Sequence, residues 1–390
     1  MEQPQILGTD INTLIQQQGG LDKAKSYLDL LIRKGELQFP FHNTYIDPPE
    51  VMLQRLREFK VQPVWDRYKL SSYFPRSEPK LYLPPTFRGH SVYLIGLEKD
   101  YLETDLLSDH FVEDVRIRTK RKDSPSVSDY WVYPELRSKF LDQLLTKGIL
   151  DNRTMRDIFY ELTYESKQFR PTWVKGLYQV VGIPNGAKVL DISAGWGDRL
   201  ISAIANDNQY LGFDPNEELK PGHDLIISSL GNPTKQKIIY KPFEEATVEE
   251  LGNGYDAILS SPPFFDLELY PGGPNQSANK FPEVNAWLKG FLFPSLQKAW
   301  SVLKQGGYLI IHLGDTKELK ISEPMNLFIE SYLPNASYEG IIGLAGEYEG
   351  KIGPVRPVWI WRKGGPNIKI NVWKPNIRRS LRQLYPELGL

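Results

Sequence analysis

Short apolar runs alternate with amphipathic segments from about residue 172 onward. The runs AKVLDI, YLGFD, KIIYK, YDAILSS and GGYLIIHLG are separated by segments with the periodicity of helices. Strands with consecutive apolar residues are covered on both faces, as in parallel sheets flanked by helices. Two closing runs, YEGIIGL and RPVWIWRK, have no helical segment between them and predict an antiparallel pair. The pattern predicts an α/β fold with a doubly wound, mostly parallel sheet.

The preceding part of the chain has helical patterns separated by proline-rich connections. The segment LDKAKSYLDLLIRKG is predicted to end at Gly35 and to place one set of apolar side chains on a single face, namely Leu21, Ala24, Leu28, Leu31 and Ile32. PEVMLQRLREFK and PELRSKFLDQLLTKG have similar patterns. We therefore expect a mainly helical region at 1–160 that helps to bind substrate, a sheet domain at 161–363 and a basic tail at 364–390.

Composition narrows the classes of protein and of site. The 390 residues include 47 basic and 48 acidic side chains, so no overall charge draws the chain to nucleic acid or membrane. The absence of cysteine excludes disulfides, thiolate metal sites and cysteine nucleophiles. The five histidines lack metal-ligand spacing, and we expect no metal site. The sequence has neither a signal-peptide pattern nor a long apolar run, which predicts a soluble, intracellular protein.

The first loop of the predicted sheet is rich in glycine. The stretch VLDISAGWGDRL runs from a strand through Asp191, Ser193, Gly195 and Gly197 into a helix. Glycines let the backbone approach a ligand closely, and the helix start supplies free amide donors. The second strand ends at Asp214, at about the spacing at which a carboxylate holds a ribose diol in nucleoside-binding folds. This loop and Asp214 therefore predict a nucleoside cofactor.

The third strand leads into YKPFEEA, where Phe243 and Glu244 are predicted to lie at the edge of an adenine ring. Two cofactor classes remain open at this point. A dinucleotide enzyme favours G-x-G-x-x-G, so that the helix start faces a pyrophosphate. This loop instead continues with Asp198 and Arg199, and an acidic residue suits a pyrophosphate poorly.

Residues 164–363 resemble class I S-adenosylmethionine-dependent methyltransferases, and more narrowly the amino-methyltransferases of adenine N6 and cytosine N4. The motifs that carry the resemblance are DISAGWGDR, the acid Asp214 and a [D/N/S]-P-P-[Y/F] tetrapeptide, here Ser261, Pro262, Pro263 and Phe264. The resemblance implies a seven-stranded Rossmann-like methyltransferase sheet and S-adenosylmethionine as the cofactor. It also implies that Thr172, in the segment before the glycine loop, binds the methionine carboxylate. We expect no large target-recognition domain after the catalytic half, in contrast to many members.

The tetrapeptide suits an amine acceptor because the lone pair of an aromatic amine is delocalised into its ring. The Ser261 hydroxyl and the Pro262 carbonyl can accept hydrogen bonds from the two N–H groups, and Phe264 can stack on the base. Catalysis would then rest on orientation and electrostatics. Two other proline pairs, in IDPPE and YLPPTF, lack this setting.

The acceptor itself stays open between adenine N6 and cytosine N4. The resemblance favours DNA over RNA as the substrate, and a protein partner is also compatible with the sequence. Protein glutamine methylation, RNA or cap adenine methylation, and a non-catalytic nucleic-acid-binding subunit are the alternatives. The polar loop after the tetrapeptide, with Tyr270 and residues 276–279, is a candidate for gripping substrate. Two basic clusters are candidates for phosphate contacts, namely Arg116, Arg118, Lys120, Arg121 and Lys122, and the tail residues Arg378, Arg379 and Arg382.

Overall fold

The computed structural model describes residues 6–62, 93–96, 98–122, 124–315, 319–348, 351–365 and 381–390. The chain forms two compact units, and each is assembled from separate segments. The helical unit comprises Met1–Pro48, Asp109–Lys167 and Leu267–Pro271. The sheet unit comprises Pro49–Ser108, Gln168–Asp266 and Gly272–Leu390. The functional division at residues 160 and 363 stays a prediction.

The helical unit confirms that the amino-terminal region is mainly helical. Its α-helices are Ile11–Gln18, Leu21–Lys34, Asp109–Arg116, Val127–Val132, Pro134–Leu144 and Asn152–Leu162. The strands β1 to β12 are numbered along the chain, and four short ones belong to this unit: β1 (Thr9–Asp10), β3 (Lys120–Arg121), β4 (Ile149–Leu150) and β9 (Glu268–Leu269). β1 pairs with β4 and β3 pairs with β9, both antiparallel.

The second helix ends as the sequence predicts. Gly35 closes it with a φ of 71°, a left-handed conformation that glycine adopts without the steric cost of a Cβ atom. Four of the five side chains expected on its inner face are buried in the core of the unit, but Leu21 is 54% exposed. Leu21 is the first residue of the helix, where no preceding turn extends the buried face.

A network of buried charges lies inside the helical unit. Arg116 contacts Asp109 at 2.7 Å and Glu165 at 2.6 Å, and Arg156 contacts Glu113 at 3.2 Å. Burial raises the pKa of Asp109, but the charge of Arg116 outweighs it and holds that pKa below its usual value. Arg116 is 1% exposed, so the prediction that it belongs to a phosphate-binding surface cluster is wrong. Its guanidinium compensates buried carboxylates instead.

His42 belongs to the same network. Its Nδ1 lies 2.5 Å from Asp109 and 3.0 Å from Glu113, whereas its Nε2 faces Tyr160 at 3.1 Å and the Nε of Arg156 at 3.3 Å. Burial lowers the pKa of His42, but the hydrogen bonds to the two carboxylates outweigh it and raise that pKa above 6.5. Atoms of His42, Asp109 and Glu113 lie within 4.8 Å of one another, a spacing open to a metal ion. The two arginines already balance those carboxylates, which disfavours a further cation.

The sheet unit alternates strands and helices along the chain. Its α-helices are Pro49–Glu58, Pro171–Val181, Asp198–Ala205, Lys220–Leu230, Val248–Leu251, Ser277–Lys280, Val284–Trp287, Phe293–Val302, Ser322–Tyr332 and Leu381–Leu384, and a π-helical turn, Leu288–Leu292, joins two of them. Its strands are β2 (Tyr93–Ile95), β5 (Lys188–Asp191), β6 (Gln209–Phe213), β7 (Gln236–Ile239), β8 (Tyr255–Ser260), β10 (Leu303–His312), β11 (Ala336–Tyr348) and β12 (Lys351–Lys363).

These strands form one sheet in the order β2-β11-β12-β10-β8-β5-β6-β7. Neighbours from β10 to β7 are parallel, and β12 lies antiparallel between β10 and β11. The predicted fold class is therefore confirmed, including the antiparallel final pair. β2 adds an eighth strand at the edge, parallel to β11, which the sequence pattern did not indicate. Parallel pairing brings the carboxyl ends of β6, β5, β8 and β10 to one edge of the sheet.

The end of the tail packs on the rest of the sheet unit. Leu381 and Leu388 are buried in its core, and the Tyr385 hydroxyl donates to Glu323 at 2.6 Å. Arg382 lies 3.3 Å from the Tyr332 hydroxyl, whereas Arg378 and Arg379 fall outside the described residues. Among the described residues, the helices are each too short or too polar to span a lipid bilayer.

Candidate active site

The glycine loop connects β5 to the helix Asp198–Ala205. Gly195 and Gly197 have φ values of 57° and 86°, which non-glycine residues rarely adopt. A Cβ atom at Gly197 would lie 3.0 Å from a side-chain carbon of Ile226 and 3.3 Å from His223. Glycine at 197 is thus required both for the turn and for the contact between the loop and the helix Lys220–Leu230.

Asp191 holds the loop in shape from the last position of β5. Its carboxylate is fully buried and accepts hydrogen bonds from the Nε of Arg199 at 2.7 Å and the hydroxyl of Tyr210 at 2.8 Å. It also accepts from the backbone N–H of Ser193 at 3.1 Å and from the hydroxyl of Ser260 at 2.7 Å. Asp191 therefore fixes the conformation of the glycine loop through these hydrogen bonds.

Asp214 follows β6 and contacts the same loop. Its carboxylate accepts the backbone N–H of Gly195 at 2.8 Å and of Asn216 at 2.9 Å, through different oxygens. Burial raises the pKa of Asp214 to about 6, although the two backbone hydrogen bonds lower it. Each carboxylate oxygen keeps a second lone pair, so Asp214 can still accept two hydroxyl groups.

His223 supports the loop from the other side, a role that the sequence did not indicate. Its Nε2 lies 3.0 Å from the carbonyl oxygen of Gly195, and its Nδ1 lies 3.0 Å from the hydroxyl of Tyr240. Burial lowers the pKa of His223 to about 4, so the ring is neutral at pH 7. A neutral ring that donates from Nε2 accepts at Nδ1, and it fits both neighbours.

Phe243 and Glu244 follow β7 in a short 3-10 turn. Phe243 is 1% exposed and meets the ring of Phe213 edge-on at 5.0 Å, so it belongs to the core of the unit. Glu244 pairs through one oxygen with Lys280 at 2.8 Å. Its other oxygen is buried and has no hydrogen-bond partner among the residues that the structure describes. Glu244 thus keeps an acceptor for an amino group.

Thr172 lies at the start of the helix Pro171–Val181 and is already engaged. Its hydroxyl donates to the buried carboxylate of Asp105 at 2.7 Å, and its backbone N–H donates to the same oxygen at 3.0 Å. Arg170 contacts that carboxylate at 3.3 Å. The assignment of Thr172 to a methionine carboxylate stays a prediction, and it requires a rearrangement around Asp105.

The tetrapeptide begins directly after β8. The hydroxyl of Ser260, the last residue of β8, donates to Asp191 and so connects this strand to the glycine loop. Ser261 comes next and lies beside β10, where its Oγ is 2.9 Å from Nδ1 of His312. Pro262 is buried and Pro263 is half-buried.

Phe264 is half-buried, and the ring of His312 lies 5.2 Å from its ring. Phe265 has a φ of 56°, an uncommon conformation for a residue with a side chain, and its ring packs on Trp287 at 6.0 Å. The turn that presents Phe264 is therefore fixed by packing of the residue after it.

The polar loop after the tetrapeptide contributes to both units. Tyr270 lies in the helical unit, where its hydroxyl donates to Glu268. In the sheet unit, Gly272 approaches Asn216 so closely that a Cβ atom would lie 2.5 Å from its Oδ1. Ser277 accepts the indole N–H of Trp287 at 2.9 Å. The segment 272–280 thus packs beside Asn216, two positions after Asp214. Its role in binding substrate stays a prediction.

The remaining members of the first basic cluster lie at or near β3. Lys120 pairs with Asp129 at 3.0 Å, and the guanidinium of Arg121 stacks over the ring of Tyr164 at 4.8 Å. Lys120 and Arg121 are exposed. They remain candidates for phosphate contacts.

No family model and no curated protein matches the sequence. Solved structures align with about half of the chain. TrmN from Thermus thermophilus aligns with 50% of this chain and 49% of its own, at 15% identity and a TM-score of 0.34. The chain therefore spans about half of the length of TrmN.

An rRNA methylase from Streptococcus thermophilus aligns with 48% of this chain and 92% of its own, at 13% identity and a TM-score of 0.31. A SAM-dependent O-methyltransferase from Thermotoga maritima aligns with 58% and 82%, at 10% identity and a TM-score of 0.34. At these low scores the likenesses assign neither a cofactor nor an acceptor to this chain.

Proposed function

We propose that the chain is an S-adenosylmethionine-dependent methyltransferase that modifies an exocyclic amine of a nucleic-acid base. The observation that carries the proposal is the continuous set of contacts at one sheet edge. The Ser260 hydroxyl joins the tetrapeptide strand to Asp191, and Asp191 shapes the loop that in turn donates to Asp214. These hydrogen bonds would hold a cofactor half and an acceptor half of the proposed site against each other.

The polar groups at this edge fit an adenosyl cofactor. A ribose diol and an adenine amino group are hydrogen-bond donors, and they require acceptors. Asp214 keeps free lone pairs for the diol, and the buried oxygen of Glu244 lacks a partner among the described residues. Gly195 and Gly197 add no side chain at their two positions of the loop, and both adopt the positive φ values that favour glycine. The chemistry that S-adenosylmethionine supplies when bound is an electrophilic methyl group on a positively charged sulfur.

Binding of S-adenosylmethionine should weaken as the pH falls through about 6, the pKa of Asp214. Protonation removes an acceptor from the diol, so affinity should fall about tenfold from pH 7 to pH 5 if only the carboxylate binds. Isothermal titration calorimetry measures this directly. Asp214→Asn should bind more weakly at pH 7 and lose the pH step.

The titration of Asp214 itself does not destabilise the folded state over this pH range. The pKa of Asp214 in the folded chain, about 6, lies above its ordinary value of 3.8. Protonation of this group therefore stabilises the folded state as the pH falls from 7 to 5. Affinity that stays constant between pH 7 and pH 5 in the wild-type protein would remove Asp214 from the cofactor site.

At the acceptor half, the chain orients the amine and its lone pair. The Ser261 oxygen and the Pro262 carbonyl can accept the two N–H groups, and Phe264 offers a partly exposed ring face for stacking. A duplex target would have to be flipped out to reach this motif, at roughly a few kcal/mol. No residue in this set acts as a nucleophile.

Phe264→Ala should lower kcat about a hundredfold while the Kd for S-adenosylmethionine stays within about threefold, since a lost base–aromatic contact costs roughly 1–3 kcal/mol. Phe264→Tyr keeps the ring and is the matched control. Steady-state kinetics and calorimetry separate the two effects. An equal loss of cofactor affinity would place Phe264 at the cofactor instead.

The acceptor is identified by incubating the full chain with radiolabelled S-adenosylmethionine and separate DNA, RNA and protein pools, followed by mass spectrometry of the labelled product. We expect label in N6-methyladenine or N4-methylcytosine. The preference for DNA comes from the resemblance, and the RNA pool tests it. Label in glutamine would overturn nucleic acid as the substrate. A wild-type chain that fails to bind the cofactor would revive the non-catalytic alternative.

A further inference from the structure

A buried histidine lies beside the serine of the acceptor motif. β8 and β10 pair in parallel with Ser260 opposite Ile311, so Ser261 and His312 occupy the next pair of positions. The imidazole of His312 is in contact with two aromatic rings, at 5.0 Å from Phe169 and 5.2 Å from Phe264. His312 therefore touches both the polar and the aromatic member of the motif.

The polar contacts of His312 are few. The side chain is 6% exposed, its Nδ1 lies 2.9 Å from the Oγ of Ser261, and its Nε2 has no hydrogen-bond partner among the described residues. Burial, together with the charges of Arg356 and Arg199, lowers the pKa of His312 well below 6.5. The ring is therefore neutral at pH 7, with a hydrogen on one nitrogen and a lone pair on the other.

Ser261 carries a hydroxyl hydrogen that interferes with its use as an acceptor, and His312 can hold that hydrogen. In the methyltransferase family that the chain resembles, this position can also be Asp or Asn. The side-chain oxygen of either residue bears no hydrogen. A serine hydroxyl carries one hydrogen and two lone pairs, and a freely rotating hydrogen competes with the N–H groups of an amine. Ser261 becomes a pure acceptor toward the substrate only when its hydrogen is held elsewhere.

We propose that His312 is a positioning residue that accepts the hydroxyl hydrogen of Ser261 at Nδ1, leaving both lone pairs of Ser261 for the acceptor amine. This assignment rests on the proposed amine methylation and deepens it. The neutral ring then carries its own hydrogen on Nε2. No proton is transferred in this role, because His312 acts only by orienting the hydroxyl of Ser261.

The tautomer of His312 is the primary test, and it needs neither cofactor nor substrate. Long-range 1H–15N spectra of the full chain, labelled at the nitrogens of histidine, distinguish the two neutral tautomers, and His312→Gln assigns the signal. We expect a neutral ring at pH 7.5 with hydrogen on Nε2, and a shifted Nδ1 signal in Ser261→Ala. A hydrogen on Nδ1, or a charged ring, would overturn the proposal.

Kinetics supply the second test. His312→Phe removes the acceptor and should lower kcat about tenfold, the effect of one hydrogen bond of about 1.4 kcal/mol, with an unchanged Kd for S-adenosylmethionine. His312→Asn returns an oxygen acceptor and should recover part of kcat. Equal rates for the Phe and Asn variants would contradict the role. If wild-type protein methylates no pool, the proposed function fails, whereas the tautomer still decides the arrangement of Ser261 and His312.

Discussion

Asp191→Ala is expected to lower the free energy of unfolding of the sheet unit by about 3–5 kcal/mol, the cost of breaking a buried ion pair. The carboxylate is fully buried and accepts from Arg199, Tyr210, Ser260 and the backbone of Ser193. Its removal leaves the guanidinium of Arg199 buried without its carboxylate. We also expect loss of cofactor binding, because the glycine loop loses its anchor.

Urea unfolding at pH 7 measures this change, followed by two spectroscopic probes because the two units need not unfold together. Asp224→Ala is the matched control, since Asp224 pairs with Lys220 at 2.6 Å and both side chains are more than half exposed. Such a pair contributes about 0.5 kcal/mol or less. Asp191→Asn keeps an acceptor oxygen and should lie between the two. A cost for Asp191→Ala no larger than that of the control would show that the loop is held by other contacts.

Arg116→Met is expected to destabilise the helical unit by about 3–5 kcal/mol at pH 7, because it leaves buried carboxylates without their counter-charge. The guanidinium donates to Asp109 at 2.7 and 2.8 Å, to Glu165 at 2.6 Å and to the carbonyl of Ser166 at 2.7 Å. Arg33→Met is the control, since Arg33 is 58% exposed and pairs across the helix surface with Asp29.

The pH dependence separates a charge effect from a packing effect. In the wild-type unit, burial raises the pKa of Asp109 and Glu165, but nearby positive charges outweigh it and lower both values below 3.8 and 4.5. Their stabilising contribution is present above those values and is lost as the pH falls through the lowered pKa values. In Arg116→Met the carboxylates lose one of their counter-charges, while Arg156 and His42 remain, and they protonate more readily.

The difference in stability between wild type and Arg116→Met should therefore shrink as the pH falls from 7 toward 4, because the carboxylates of the folded variant take up protons before those of the wild type. Urea unfolding at pH 7 and pH 4 measures it. A difference that is equal at both pH values would assign the loss to packing. Where both proteins are folded, affinity for nucleic acid should be unchanged, since the guanidinium is buried.

Local sequence was sufficient for the long strands of the sheet other than β2, and for the glycine loop. The apolar runs AKVLDI, YLGFD and YDAILSS are β5, β6 and β8 with flanking residues, because a strand covered on both faces has few polar positions. Gly195 and Gly197 made the loop predictable as well, because the positive φ that the backbone needs there is a local property that favours glycine. The placement of Ser261 at the same edge followed from parallel pairing.

Contacts between residues that are distant in sequence could not be predicted from local patterns. The place of Phe243 beside an adenine stays a prediction, and its contact with Phe213 in the core was not foreseen, because the direction of a side chain after a strand depends on the packing of neighbouring elements. Thr172 was assigned without Asp105, which lies 67 positions away and occupies its hydroxyl. Arg116 stood in a run of basic residues and is buried, because the acids that balance it come from two segments of the helical unit.

The sequence by itself determined the alternating fold, the glycine loop, Asp214 and the position of the SPPF tetrapeptide, because each depends on residues close together in the chain. Only the tertiary structure decided how these parts are connected. Asp191 meets Ser260 across 69 positions, and Ser261 meets His312 across 51. The register between strands sets these distances, and register depends on the packing of the whole sheet rather than on any local pattern.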